Sequence, residues 1–241
     1  MVVPSVAVNL EGEATQLVAD EPIQQFKQRP LPFMHMGQID SRPEYGIRAR
    51  IGAALLEDQH AVGLYVSTTV SPAGPARDLH PDPRFAELCA AEAECLETGR
   101  CIGCTWPLLD APVSATKQAT YLNLMRHAQF SLVILGDTPS TSRMYDAISA
   151  GTVPVIVSDE IWAVGLPFPT IVPWQGMALR VSEHETEVWK SFNQELNAIP
   201  DDTLENVRRL LAEHRDDLLW TSKCSRVVDN ILLTAMATCQ P

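Results

Sequence analysis

The stretch "FSLVILGDTPSTSRMYDAISAGTVPVIVSD", residues 130–159, constrains this chain more than any other. Its flanking runs, "FSLVILG" and "VPVIVSD", are short and almost continuously apolar, the pattern of strands buried on both faces. The segment between them carries helix signals. Thr138 is a suitable N-cap, and Pro139 suits a first helical position, where its missing N–H costs nothing. The helix is expected to run through "SRMYDAISA" and stop at Gly151, since glycine readily takes the left-handed C-terminal conformation. A strand–helix–strand unit of this kind takes the right-handed crossover and commits the chain to a parallel sheet.

The remaining elements agree. "LPFMHMG" (31–37) reads as a strand, "EYGIRARIGAALLED" (44–58) as a helix with Ile47, Ile51, Ala54 and Leu55 on one stripe, and "AVGLYVS" (61–67) as a strand. Residues 68–83 hold Pro72, Pro75, Pro81 and Pro83 and form a loop, followed by helices at 84–97 and 114–128. After the opening unit come a proline-rich loop, "LPFPTIVPW", a short strand, "ALRVS" (178–182), and helices at 184–198, 202–219 and 223–238. Alternating strands and helices predict an α/β domain over 31–240, a parallel sheet with helices on both faces. Residues 1–30, polar and without periodicity, read as an N-terminal tail or inter-domain segment.

Hydrophobic residues make up 46% of the 241 residues and charged ones 20%, so a packed core is expected. A net charge of −12 argues against nucleic acid as a partner, while leaving room for a local basic pocket. The sequence holds no apolar run of about 18 residues, and "MVVPSVAVNLEGEATQ" lacks the basic and apolar regions of a secretory signal. The six cysteines include "CIGC" (101–104), but the second tight pair of a zinc site is missing. Buried thiols and lumenal disulfides both remain open for them.

Ligands of such sheets sit beyond the carboxyl ends of the strands. That edge receives Gly136 and Asp137 from one strand, and Ser158 and Asp159 from the next. The N-terminus of the intervening helix lies at the same edge and favours an anion. Thr138, Ser140, Thr141 and Ser142 add hydroxyls, Arg143 adds a planar fork suited to phosphate, and Asp146 could accept from a sugar hydroxyl. The composite suits a nucleotide diphosphate. The alternative is structural: hydroxyls that only cap the helix, and an exposed Arg143–Asp146 pair. The motif is neither a P-loop nor a G-x-G-x-x-G fingerprint.

"YLNLMRHAQFSLVILGDTPSTSRMYDAISAGTVPVIVSDEI" with the following "LPF" resembles the exostosin domain of glycosyltransferase family 47. "VPWQGMALRVSE" and "IPDDTLENVRRLLAEHRDDLLW" are similar to later family segments, and "LPFMHMG" with "GIRARIGAALLED" to the opening of its donor-side half. The chain departs from the pattern at "LVILGD", where relatives read C-x-P-R-G-D, and at Pro169, where they have an acidic residue. The resemblance implies a Rossmann-like domain, one half of a GT-B fold, that binds a nucleotide diphosphate sugar, expected to be UDP-linked. It implies inverting transfer to a glycan acceptor with no metal cofactor. Ser140, Thr141 and Arg143 would face the diphosphate, Asp146 the ribose, and Arg48 would be a basic residue near the donor.

"MVVPSVA" is similar to the stretch where the family's first half hands over to its second, so an acceptor-binding N-terminal half or partner subunit is expected elsewhere. Golgi membrane location, on the lumenal side, follows from the same resemblance. The catalytic base is not identified, His127 being read as a partly exposed helix residue. A non-catalytic nucleotide-binding module is the alternative function.

Overall fold

The computed structural model describes residues 21–39, 46–68, 92–106, 115–135, 139, 141–185 and 187–238. Strands β1 (Leu31–Gly37), β2 (Gly63–Thr68), β3 (Arg100–Trp106), β4 (Ala128–Ile134), β5 (Val153–Val157) and β6 (Leu179–Arg180) form one sheet. Their order is β3-β2-β1-β4-β5-β6 and every pairing is parallel. The helices are α1 (Ile23–Lys27), α2 (Gly46–Glu57), α3 (Glu92–Thr98), α4 (Ala115–Arg126), α5 (Ser142–Ala150), α6 (Trp174–Met177), α7 (Phe192–Asn197), α8 (Asp201–Glu213), α9 (Arg215–Leu218) and α10 (Val227–Thr238). This strand order is that of a doubly wound Rossmann sheet, so the expected α/β class is borne out.

Period-2 alternation along the strands builds two cores. Phe33, Tyr65, Phe130 and Leu132 are buried on one face with Ile51 and Leu55 of α2, Phe192 of α7 and Leu204 of α8. Met34, Met36, Leu64 and Val66 face the other way, onto Leu124 and Met125 of α4 and Cys95 of α3. With helices on both sides, the inner strands admit apolar residues at nearly every position, and β5 is buried throughout.

Several expectations are corrected. The helix of the opening unit starts at Ser142, with Thr141 as its N-cap and not Thr138. Thr141 is extended at φ −136°, which lets its Oγ1 accept from the Arg143 N–H at 3.4 Å. Pro139 therefore precedes the helix instead of opening it. Strand β3 was not foreseen in "RCIGCTW". Its apolar pattern is interrupted by Gly103, at φ 73°, where a Cβ would overlap Leu56 of α2. Cys95 and Cys101 form a disulfide that ties α3 to this edge strand, and Cys104 is also disulfide-bonded. The helix expected over 184–198 is a 3-10 turn (Glu187–Ser191) followed by α7, and that over 202–219 breaks at His214 into α8 and α9.

Residues 21–30, read as part of a tail, pack against the domain. Phe26 is fully buried, with the guanidinium groups of Arg29 and Arg208 5.0 and 4.6 Å from its ring centroid. Glu21 ion-pairs with both arginines, at 2.9 and 3.0 Å.

Gly151 ends α5 as expected, at φ 69° and ψ 30°, with the Thr152 N–H donating to the Ala147 carbonyl at 2.9 Å. A Cβ at this left-handed position is strained. Gly151→Ala is expected to cost about 1 kcal/mol, read as a fall of about 2–4 °C in Tm with an unchanged far-ultraviolet circular dichroism spectrum.

Candidate functional site

The strand order reverses between β1 and β4, so the carboxyl ends of these two strands border the crevice where doubly wound sheets bind ligands. Two arginines converge there. Arg48 lies in the first turn of α2, only 6% exposed, and donates to the Gln38 carbonyl at 2.8 Å and the Leu135 carbonyl at 2.9 Å. It thereby ties the chain leaving β1 to the chain leaving β4. The Tyr65 hydroxyl holds the Arg48 backbone carbonyl at 2.7 Å. Arg143, second residue of α5, reaches across to donate from Nη2 to the Met36 carbonyl on β1. Gly37 makes that approach possible: a Cβ there would stand 3.1 Å from both Arg143 Nη2 and His35 Nε2.

His35 completes this arrangement and went unread in the sequence. It is fully buried, stacked on Tyr65 with ring centroids 4.9 Å apart, and its Nδ1 lies 3.3 Å from the Leu132 carbonyl. A carbonyl only accepts, so Nδ1 carries the proton and Nε2 keeps its lone pair. Among the described residues Nε2 has no hydrogen-bond partner. Burial, then the charges of Arg143 and Arg48, holds the imidazole neutral, its pKa well below the ordinary value.

Asp146 sits one turn beyond Arg143 and is 4% exposed, so the two are not the exposed pair of the structural alternative. Its Oδ2 accepts from the Tyr121 hydroxyl of α4 at 3.2 Å. The Arg143 charge acts on the same phenol oxygen. Burial raises the phenol pKa against the opposing pull of Arg143.

The other expected site residues divide. Gly136, Asp137, Thr138 and Ser140 lie outside the described residues. Thr141 caps α5, as above. Ser158, fully buried past β5, accepts at 3.1 Å from the N–H of Ile161, the first residue of a π-helical turn (Ile161–Gly165). Both oxygens of Asp159 are engaged, by Arg180 and by Ser182, each at 2.9 Å. Those hydrogen bonds hold its carboxyl below the usual range. Asp159, Glu183 and His184 bring possible metal-ligand atoms within 4.8 Å of one another, but Asp159 already spends its oxygens on Arg180 and Ser182. The π-helical turn matters for the loop before α5, because a Cβ on Gly165 would overlap the Pro139 carbonyl. His127 stands just before β4, at the opposite edge of the sheet, half-buried and bonded to the Asn123 carbonyl at 2.8 Å.

Two guanidinium groups and a helix N-terminus at the switch point of a doubly wound sheet make an α/β domain with a geometry suited to an anion. Residues 79–196 match the Exostosin GT47 domain, and the family resemblance read from the motifs is borne out. A protein of Oryza sativa subsp. japonica named probable glucuronosyltransferase is 34% identical over 106 residues, 44% of this chain and 24% of that one. A probable beta-1,4-xylosyltransferase of Arabidopsis thaliana is 33% identical over 106 residues, with the same coverage of 44% and 24%. The matched stretch is thus about a quarter of the length of these curated relatives. The trehalose-6-phosphate phosphatase N-terminal domain of Candida albicans superposes with a TM-score of 0.51 at 11% identity, covering 99% of this chain and 49% of that one. That likeness shows the fold alone.

The neutral His35 has a measurable consequence. Its folded pKa lies below its unfolded value, so the unfolded chain takes up the proton first as pH falls. Stability is therefore present above about pH 6.5 and is lost below it, by up to about 1.4 kcal/mol per pH unit. His35→Phe keeps an aromatic ring against Tyr65 and removes the titration. Urea unfolding between pH 7 and pH 5 is expected to show a flatter slope for the variant than for the wild type, whatever its offset at pH 7.

Proposed function

We propose that this chain binds a nucleotide diphosphate sugar, UDP-linked, as the donor-side unit of an exostosin-type glycosyltransferase. The observation that carries the reading is the convergence of Arg143, Arg48 and the α5 N-terminus on the β1–β4 crevice. As the sugar leaves, negative charge grows on the diphosphate. Fixed cationic donors aimed at that charge lower the barrier without reorganising. In this role they replace a divalent cation, so no metal cofactor is needed. Asp146 would accept from a ribose hydroxyl on the same side of α5.

Transfer with inversion requires a base on the far side of the anomeric carbon, to deprotonate the hydroxyl of a glycan acceptor. His127 is unsuited, because it lies at the opposite edge of the sheet. We assign the base and the acceptor site to an N-terminal half or partner subunit across the crevice. A lumenal, Golgi setting agrees with the Cys95–Cys101 disulfide, since such bonds persist in oxidising compartments. Among the described residues, no helix is long and apolar enough to cross a membrane. Nucleic acid is not a partner of so acidic a chain, at net charge −12.

Calorimetric titration with UDP tests the reading. The wild type is expected to bind, and Arg143→Ala to bind about 10–100-fold more weakly, the worth of hydrogen bonds to a charged group. Equal affinities, or no binding by the wild type, would remove the donor site.

A further inference from the structure

We propose that the Tyr121 hydroxyl is a positioning group of this site, standing between the Arg143 guanidinium and the Asp146 carboxylate and keeping them apart. The inference rests on the donor-site reading and deepens it. Arg143 and Asp146 are three residues apart on α5, close enough for their side chains to meet directly. Such an ion pair would neutralise the cation and turn its fork away from the crevice. Tyr121 prevents this by coming from a different helix. Helix α4 packs along α5 and delivers the hydroxyl to the second turn.

A phenol oxygen can accept one hydrogen bond while donating another. Here the oxygen donates to Asp146 Oδ2 at 3.2 Å and lies beside the Arg143 charge, which opposes the rise of its pKa. One carboxylate oxygen thereby has a donor other than Arg143. The guanidinium, fixed on its other side by the Met36 carbonyl, is held over Gly37 at the mouth of the switch point. One oxygen thus sets the spacing between the group that would face a diphosphate and the group that would face a ribose. Phenylalanine would fill the same volume, but it would let Arg143 close onto Asp146.

The test is UDP titration of the wild type, Tyr121→Phe, Arg143→Lys and the double variant, with a thermal melt of each. Tyr121→Phe is expected to bind UDP about tenfold more weakly with a Tm within about 3 °C of the wild type. The double variant is expected to bind no more weakly than Arg143→Lys alone, because Tyr121 acts through Arg143. Unchanged UDP affinity in Tyr121→Phe overturns the inference while leaving the donor site standing, and additive losses do the same. Absence of UDP binding by the wild type overturns the donor reading and this inference with it. If Tyr121→Phe does not fold, Tyr121→Met is read in its place, and failure of both to fold overturns the proposal by giving the hydroxyl to the fold.

Discussion

Everything at the carboxyl edge of this sheet depends on how the chain is tied where β1 and β4 part company. Strands that leave a sheet side by side and turn to opposite faces end in backbone carbonyls without ladder partners, and buried carbonyls demand donors. Arg48 meets that demand on both strands at once, through Gln38 and Leu135, and Arg143 meets it at Met36. Carbonyl partners satisfy N–H groups without cancelling charge. The same bonds that close the sheet edge therefore leave two uncancelled guanidinium charges beside it.

The surroundings follow from that concentration of charge. Burial disfavours a charged imidazole, and the two guanidinium groups beside it disfavour it further, so His35 stays neutral and its ring packs on Tyr65 as an aromatic. Gly37 is small because the Arg143 head and the His35 ring approach the same point above it. The π-helical turn after β5 brings Gly165 against the Pro139 carbonyl. π-Helical turns of this kind often accompany functional sites.

The match to the Exostosin GT47 domain begins at residue 79, beyond β1, α2 and β2. Yet Arg48 and His35 come from those earlier elements and stand at the same crevice as Arg143. The family-like stretch alone does not make the site. The first strand–helix–strand unit supplies Arg48 and His35 to the switch point, as one of the two mononucleotide-type halves of a doubly wound sheet is expected to contribute.

The sequence by itself determined what is local. The apolar runs of β1, β4 and β5, the α5 helix with Gly151 at its end, and the placing of Arg143 and Asp146 on neighbouring turns depend on residues a few positions apart. Each was legible in the periodicity of the chain. The cap of α5 was misplaced from Thr141 to Thr138 because both are threonines before a helix, and only backbone dihedrals distinguish them. Strand β3 was hidden by its cysteines and Gly103, whose reasons for being there are a disulfide to α3 and the close approach of Leu56. Tyr121 and His35 drew their roles from tertiary structure alone, and Arg48, which the family resemblance had placed near the donor, drew from it its bonds to the Gln38 and Leu135 carbonyls. A basic residue on a helix is a solvated charge or a buried strut according to what packs over it, and a histidine is a cation or a neutral ring according to its burial and neighbours. Those choices belong to elements distant in sequence, brought together only when the sheet closes at its switch point.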